Sequence, residues 1–263
     1  MHTLMVTPCN FIKKKPFPLV CLLFITMTGC PRSPPASSVG SATPHQNVER
    51  AQAADWGGRV DEADALYRAY LERTVEQPVE GDHQIVLQSV AMFFEERDPE
   101  QAVALYTILI TSAETRGDPS AIGYRELLAD LHCALGDTAS AKAAYRETIE
   151  RQQALVGDIH PEIANSHRDL GRCLIQAGEI ERAFAEFDAM LKIRGALHGE
   201  TTALLPALTE VARAMATHGS AADALPLYDR ALALFHGRYE GHVHQEIEAL
   251  RAELQAERDA LEN

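Results

Sequence analysis

An alanine followed four positions later by an aromatic residue occurs five times along this chain. The successive alanines lie 39, 39, 42 and 41 residues apart, and a glycine precedes the alanine in four of the five units. A period near 40 residues, with one helix pair per unit, is typical of an α-solenoid. The five pairs are Ala63/Tyr67, Ala102/Tyr106, Ala141/Tyr145, Ala183/Phe187 and Ala224/Tyr228.

Residues 157–199 form the clearest unit. Pro161 is predicted to begin the first helix, because the first helical turn tolerates proline, and Gly178 to end it. Residues 179–197 are predicted to form the second helix, with Phe187 on its inner side. Two helices this short bury their apolar faces only against neighbours of the same shape, so the unit predicts a stack.

This unit resembles the tetratricopeptide repeat, and residues 157–164 resemble the linker of the longer repeats found in kinesin light chains. The resemblance covers residues 44–238 and implies an all-α, right-handed superhelical solenoid of about five helix pairs. A charged helix with a narrow apolar stripe at residues 239–263 is expected to cap it, the alternative being a coiled-coil strand. The matching residues are Leu170, Gly171, Gly178, Ala183 and Phe187.

The N-terminus has the order of an export signal. Three lysines at residues 13–15 precede an apolar run that is shorter than the roughly 20 residues needed to span a membrane. Residues 27–30 resemble the bacterial lipobox, which implies that residues 1–29 are a lipoprotein-type signal peptide and that Cys30 is lipidated. The alternative is an ordinary cleaved signal with a chance cysteine.

The next residues and the overall charge bear on location and partners. Residues 30–43 are rich in proline and serine and are expected to be a flexible tether, or alternatively an irregular domain edge. The formal net charge is −14, and loss of the three signal lysines makes it −17. Such a chain is not expected to bind nucleic acid or anionic lipid, since both need a basic face.

Two cysteines, Cys133 and Cys173, fall on the first helices of adjacent units. Packed helices lie about 8–10 Å apart from axis to axis, whereas a disulfide needs Cα atoms within about 7 Å. A disulfide is conceivable in an exported protein, but two small buried thiols are the prediction.

No pattern for catalysis is present in the sequence. There is no phosphate-binding glycine loop, no G-x-S-x-G and no H-E-x-x-H. His236, His242 and His244 cluster, but residues two apart on a helix point in different directions, so a solvated helix start is expected rather than a metal site. The chain is therefore predicted to be no enzyme and to need no cofactor.

The resemblance implies that the first helices line a concave groove for partners. Arg168 and Arg172 are four residues apart and so share a helix face. A guanidinium cluster suits a carboxylate, such as a peptide C-terminus or acidic side chains; the alternative is solvated ion pairs that contribute little. The predicted groove residues are Glu126, Asp130, Asn165, Arg168, Arg172 and Arg213.

Two functions are compatible with these features. The first is a membrane-tethered scaffold or adaptor that mediates protein–protein interactions on the extracytoplasmic side of a bacterial cell envelope. The alternative is an accessory peptide-binding subunit of an envelope enzyme or secretion system. A peptide-sized ligand in the groove would favour the second, and a large protein over the outer surface the first.

Overall fold

The computed structural model describes residues 43–235 and 242–262, with the side chains of 242–247 left out. The predicted signal peptide, Cys30 and nearly all of the predicted tether lie outside the described residues. Within them, no helix is long and apolar enough to cross a membrane.

The described residues form eleven α-helices, a 3-10 turn at Thr202–Leu204 and no strand. The helices are α1 (Pro44–Trp56), α2 (Val60–Thr74), α3 (Gly81–Phe94), α4 (Pro99–Thr115), α5 (Ser120–Ala134), α6 (Thr138–Val156), α7 (Pro161–Gln176), α8 (Ile180–His198), α9 (Leu205–His218), α10 (Ala221–Ala233) and α11 (His242–Glu262). The first ten helices pack as five consecutive pairs. The predicted all-α solenoid of five helix pairs is confirmed.

The alanine and aromatic residue of every repeat lie on the even-numbered helices and are buried. All five alanines are fully inaccessible, and none of the aromatic side chains is more than 3% exposed. Between α7 and α8 the contact is closest, because a Cβ atom added at Gly171 would lie 2.6 Å from the Phe187 ring. The small residue twelve positions upstream therefore makes room for the aromatic side chain.

Two kinds of turn join the helices within a pair. Gly136 and Gly178 adopt φ values of 76° and 75°, a conformation that favours glycine at a helix C-terminus. The second pair has no such glycine. There the Asp98 carboxylate accepts a hydrogen bond from the backbone N–H of Gln101 (3.2 Å), and Pro99 occupies the first helical turn.

Polar side chains connect each odd-numbered helix to the next odd-numbered helix. These contacts place the odd-numbered helices in one layer, the layer expected to face partners. The connecting hydrogen bonds are Gln84 Nε2 to Tyr124 Oη (3.0 Å), Ser166 Oγ to Glu126 Oε1 (2.8 Å), Arg172 Nε to Glu210 Oε1 (2.6 Å) and Arg213 Nη2 to Glu257 Oε1 (2.8 Å).

The last helix, α11, continues this layer at the C-terminal end of the stack. It packs against α10, and Leu254 of its apolar stripe is fully buried. Tyr228 on α10 donates a hydrogen bond to Glu257 (3.0 Å), the same carboxylate that receives Arg213. The helix therefore covers the apolar end that the fifth pair would otherwise expose.

The prediction of two free thiols is wrong, because Cys133 and Cys173 form a disulfide between α5 and α7. Their Cα atoms are 5.6 Å apart. The prediction relied on the distance between helix axes. A Cα atom lies about 2.3 Å from its own axis, so Cα atoms that face each other are closer than the axes by up to about twice that radius.

Replacing Gly171 tests the close contact with Phe187. We expect Gly171→Ala to lower the free energy of unfolding by about 1–3 kcal/mol, because Phe187 is buried and its ring has little room to move. Urea unfolding followed by circular dichroism measures the change.

Gly123 provides the matched control for this substitution. It lies inside α5, is exposed, and has nothing within 4 Å of an added Cβ atom. Gly123→Ala should stabilise the protein by about 0.5–1 kcal/mol. Equal effects of the two substitutions would contradict the packing described for Gly171.

Candidate functional site

Three of the predicted groove residues lie together on α7 and meet an arginine from α8. Asn165 Oδ1 accepts a hydrogen bond from Arg194 Nη2 (2.9 Å). Arg168 donates two hydrogen bonds to the neighbouring Asp169 carboxylate, at 3.1 and 3.2 Å. We call Asn165, Arg168, Arg172 and Arg194 the arginine cluster.

The other arginines of the predicted groove are held by carboxylates of following helices. Arg172 Nε donates to Glu210 on α9 (2.6 Å). Arg213 donates to Glu257 and to Glu253 (2.7 Å), both on α11. The ion-pair alternative therefore describes Arg172 and Arg213, and Arg213 lies against the last helix.

Arg194 differs from these arginines in its surroundings. It makes no ion pair with any described residue, and its buried Nε has no hydrogen-bond partner. Burial and then the positive charge of Arg168 lower the pKa of the Arg194 guanidinium. Asp169 and Glu210 act in the opposite direction from a distance, but both already receive hydrogen bonds from other arginines.

The two predicted acidic residues, Glu126 and Asp130, are hydrogen-bonded within the fold. Glu126 Oε1 accepts from Gln152 Nε2 on α6 (2.9 Å) and from Ser166 Oγ on α7 (2.8 Å). Asp130 accepts a hydrogen bond from the Tyr145 hydroxyl. Glu126 thus connects three helices of two successive pairs.

Burial raises the pKa of the Glu126 carboxyl, and the negative charges of Asp130 and Glu162 add to this effect. The hydrogen bonds from Ser166 and Gln152 oppose it without cancelling it. Ionisation of Glu126 is therefore more costly in the folded protein than in the unfolded chain.

Sequence reasoning missed Arg194, Gln152 and Ser166. It looked for partner-facing side chains on first helices only, whereas Arg194 lies on the second helix of its pair. A usable signal was present, because Arg194 follows Phe187 by seven residues, or two helical turns, and so lies on the same face as that inward-pointing ring.

No set of three or more His, Cys, Asp or Glu side chains is placed to hold a metal ion in the part of the chain that the structure describes. Of the histidines considered from the sequence, His236 lies outside the described residues. Only the backbone is described for His242 and His244.

Comparison with known proteins gives the class of fold. Residues 119–196, which cover nearly all of α5 to α8, match a tetratricopeptide repeat family model. A search of curated proteins finds no match.

Two solved structures have a similar fold. One is a protein of Podosopora anserina described as a kinesin light chain with nearly identical TPR-like repeats. It is 19% identical, with a TM-score of 0.57 over 73% of this chain and 96% of the other. The second is BtubC (BKLC) from P. vanneervenii, 20% identical, with a TM-score of 0.53 over 75% of this chain and 84% of the other. This chain therefore has the fold of a tetratricopeptide-repeat solenoid, which suggests a protein–protein interaction scaffold.

Glu126 generates a pH-dependent prediction. Because its folded pKa lies above the unfolded value of about 4.3, the contribution of this group to stability falls as the pH rises from about 4 through the folded pKa. Glu126→Gln removes the ionisation and keeps an acceptor for Ser166 and Gln152. The variant should therefore gain stability relative to the wild type as the pH rises from 4 to 7.5.

Urea unfolding at several pH values measures this difference. Glu150→Gln, which removes an exposed carboxylate from α6, controls for the loss of one surface charge. A difference between wild type and Glu126→Gln that stays constant with pH would contradict the role given to burial.

Proposed function

We propose that this chain is a lipid-anchored adaptor on the extracytoplasmic side of a bacterial membrane. The basic and apolar segments followed by Gly29-Cys30 support export and lipidation at Cys30. Tetratricopeptide-repeat proteins are generally non-enzymatic and bind protein partners, which supports the role of adaptor. The Pro/Ser-rich residues 30–43 would hold the solenoid away from the membrane.

The observation that carries the location is the disulfide between Cys133 and Cys173. Disulfides form and persist in oxidising compartments and are rare where thioredoxin and glutathione keep thiols reduced. The disulfide is independent of the N-terminal sequence, because it depends on the packing of α5 against α7. Two separate features of the chain therefore support the same location.

The proposed binding surface is the layer of odd-numbered helices, and its partner is a protein or peptide that presents a carboxylate. Support comes from the arginine cluster, which concentrates guanidinium groups on a chain of net charge −14. Guanidinium groups match the planar geometry of carboxylates. In this proposal Glu126 and Asp130 belong to the same surface, and Arg213 contributes at its boundary with α11.

The second candidate function is an accessory peptide-binding subunit of an envelope enzyme or secretion system. The small size of the arginine cluster favours it, since Asn165 and Arg194 are in direct contact and suit one carboxylate better than an extended protein surface. A captured peptide would favour this function, and a captured folded protein the adaptor.

Replacement of Cys30 tests the anchor. In bacterial cells that express the full-length sequence, the wild type should fractionate with membranes and carry lipid on Cys30, as measured by mass spectrometry. Cys30→Ala should leave the membrane fraction, because no other lipid attachment site is proposed. Cys21→Ala, within the same N-terminal segment, is the matched control and should behave as the wild type does.

Crosslinking followed by affinity capture from detergent-solubilised envelopes tests the adaptor role. The wild type should capture a specific protein or peptide, and Arg168→Gln combined with Arg172→Gln should lose it while remaining folded. Equal capture by the double variant would argue against the proposed surface. Wild-type protein that is neither lipidated nor exported would overturn the proposed location.

A further inference from the structure

Arg194 is the member of the arginine cluster whose donors the fold leaves unused. Its Nη2 donates to Asn165 Oδ1 (2.9 Å), and this is a neutral partner. Its buried Nε has no partner, and no described carboxylate forms an ion pair with it. A guanidinium has five N–H donors, so most of its capacity is free in the described structure.

The neighbouring charges do not compensate Arg194. Its pKa is lowered by burial and then by the positive charge of Arg168, so that charge acts at this position. Arg168 is itself held by Asp169, at 3.1 and 3.2 Å. The carboxylates of the cluster are thus used by other arginines, whereas Arg194 is left with repulsion and an amide.

Asn165 adds a second type of donor at the same place. Because its Oδ1 accepts from Arg194, its Nδ2 donors make no hydrogen bond to a described residue. A planar acceptor with two oxygens would satisfy the guanidinium and the amide together. It would also screen Arg168 from Arg194.

We propose that Arg194, Asn165 and Arg168 form a binding site for one carboxylate of a peptide partner. Arg194 supplies the uncompensated charge, Asn165 orients its guanidinium, and Arg168 completes the positive side of the site. Arg172 and Arg213 lie outside this site, since Glu210 and Glu257 already hold them. This inference rests on the proposed function and names the ligand class of the surface.

The carboxylate has two possible sources, and small probes distinguish them. N-acetylalanine presents an α-carboxylate, N-acetylaspartamide presents a side-chain carboxylate, and N-acetylalaninamide presents neither. Titration of ¹⁵N-labelled full-length protein should give saturable shifts of the Arg194 and Arg168 Nε–H signals with a carboxylate probe. The neutral probe should give no shift, and the stronger of the two carboxylate probes identifies the source.

Variants test whether Arg194 itself is responsible. Arg194→Gln should weaken the probe-induced shift of the Arg168 signal by about tenfold or more, the loss expected when a charge-assisted hydrogen bond is removed. Arg194→Lys, which keeps the charge without the planar fork, should give an intermediate affinity. Arg182→Gln, on the same helix but exposed and paired with Glu179, should bind as the wild type does.

Thermal unfolding of each variant shows whether it is folded. Shifts that rise linearly, occur with the neutral probe or persist in folded Arg194→Gln would overturn the site. Equal capture of an envelope partner by the wild type and Arg194→Gln would overturn the site alone and leave the adaptor function standing. Saturable binding of the probes without any captured partner would support the site and count against the adaptor function.

Discussion

The close packing of a small residue against an aromatic ring is the constraint on which the whole solenoid depends. In the fourth pair the backbone of α7 approaches Phe187 so closely that even one methyl group at Gly171 would lie 2.6 Å from the ring. The same contact in the other pairs involves alanine and tyrosine. Because each pair buries its face against the next, this contact sets the spacing of the helices and hence the positions of every side chain in the odd-numbered layer.

The buried apolar residues form two clusters that both include residues of α5. Glu126 on the same helix joins α5 to α6 and α7 by hydrogen bonds. The disulfide between Cys133 and Cys173 closes a separation of 40 residues at this point, which by loop entropy corresponds to about 4 kcal/mol. The helices that present the arginine cluster are therefore joined to the preceding pair by both a covalent and a polar link.

The spacing of Ala183 and Phe187 and its counterparts predicted the class of fold and the helix pairs, because local periodicity and tertiary packing agree throughout the solenoid. The site was predicted less completely. Helical spacing placed Arg168 and Arg172 on one face, but whether an arginine is compensated depends on carboxylates about 40 residues away, such as Glu210 for Arg172. The disulfide was missed because average axis distances do not give the distance between two facing Cα atoms.

The redox state of Cys133 and Cys173 in living cells tests the central claim, an exported adaptor, most directly. Cells that express the full-length sequence are quenched in acid, free thiols are alkylated with one reagent, and disulfides are then reduced and labelled with a second. Peptide mass spectrometry identifies the label at each position. The account predicts that Cys133 and Cys173 carry the second label. The first label on both cysteines would show free thiols and contradict the extracytoplasmic location.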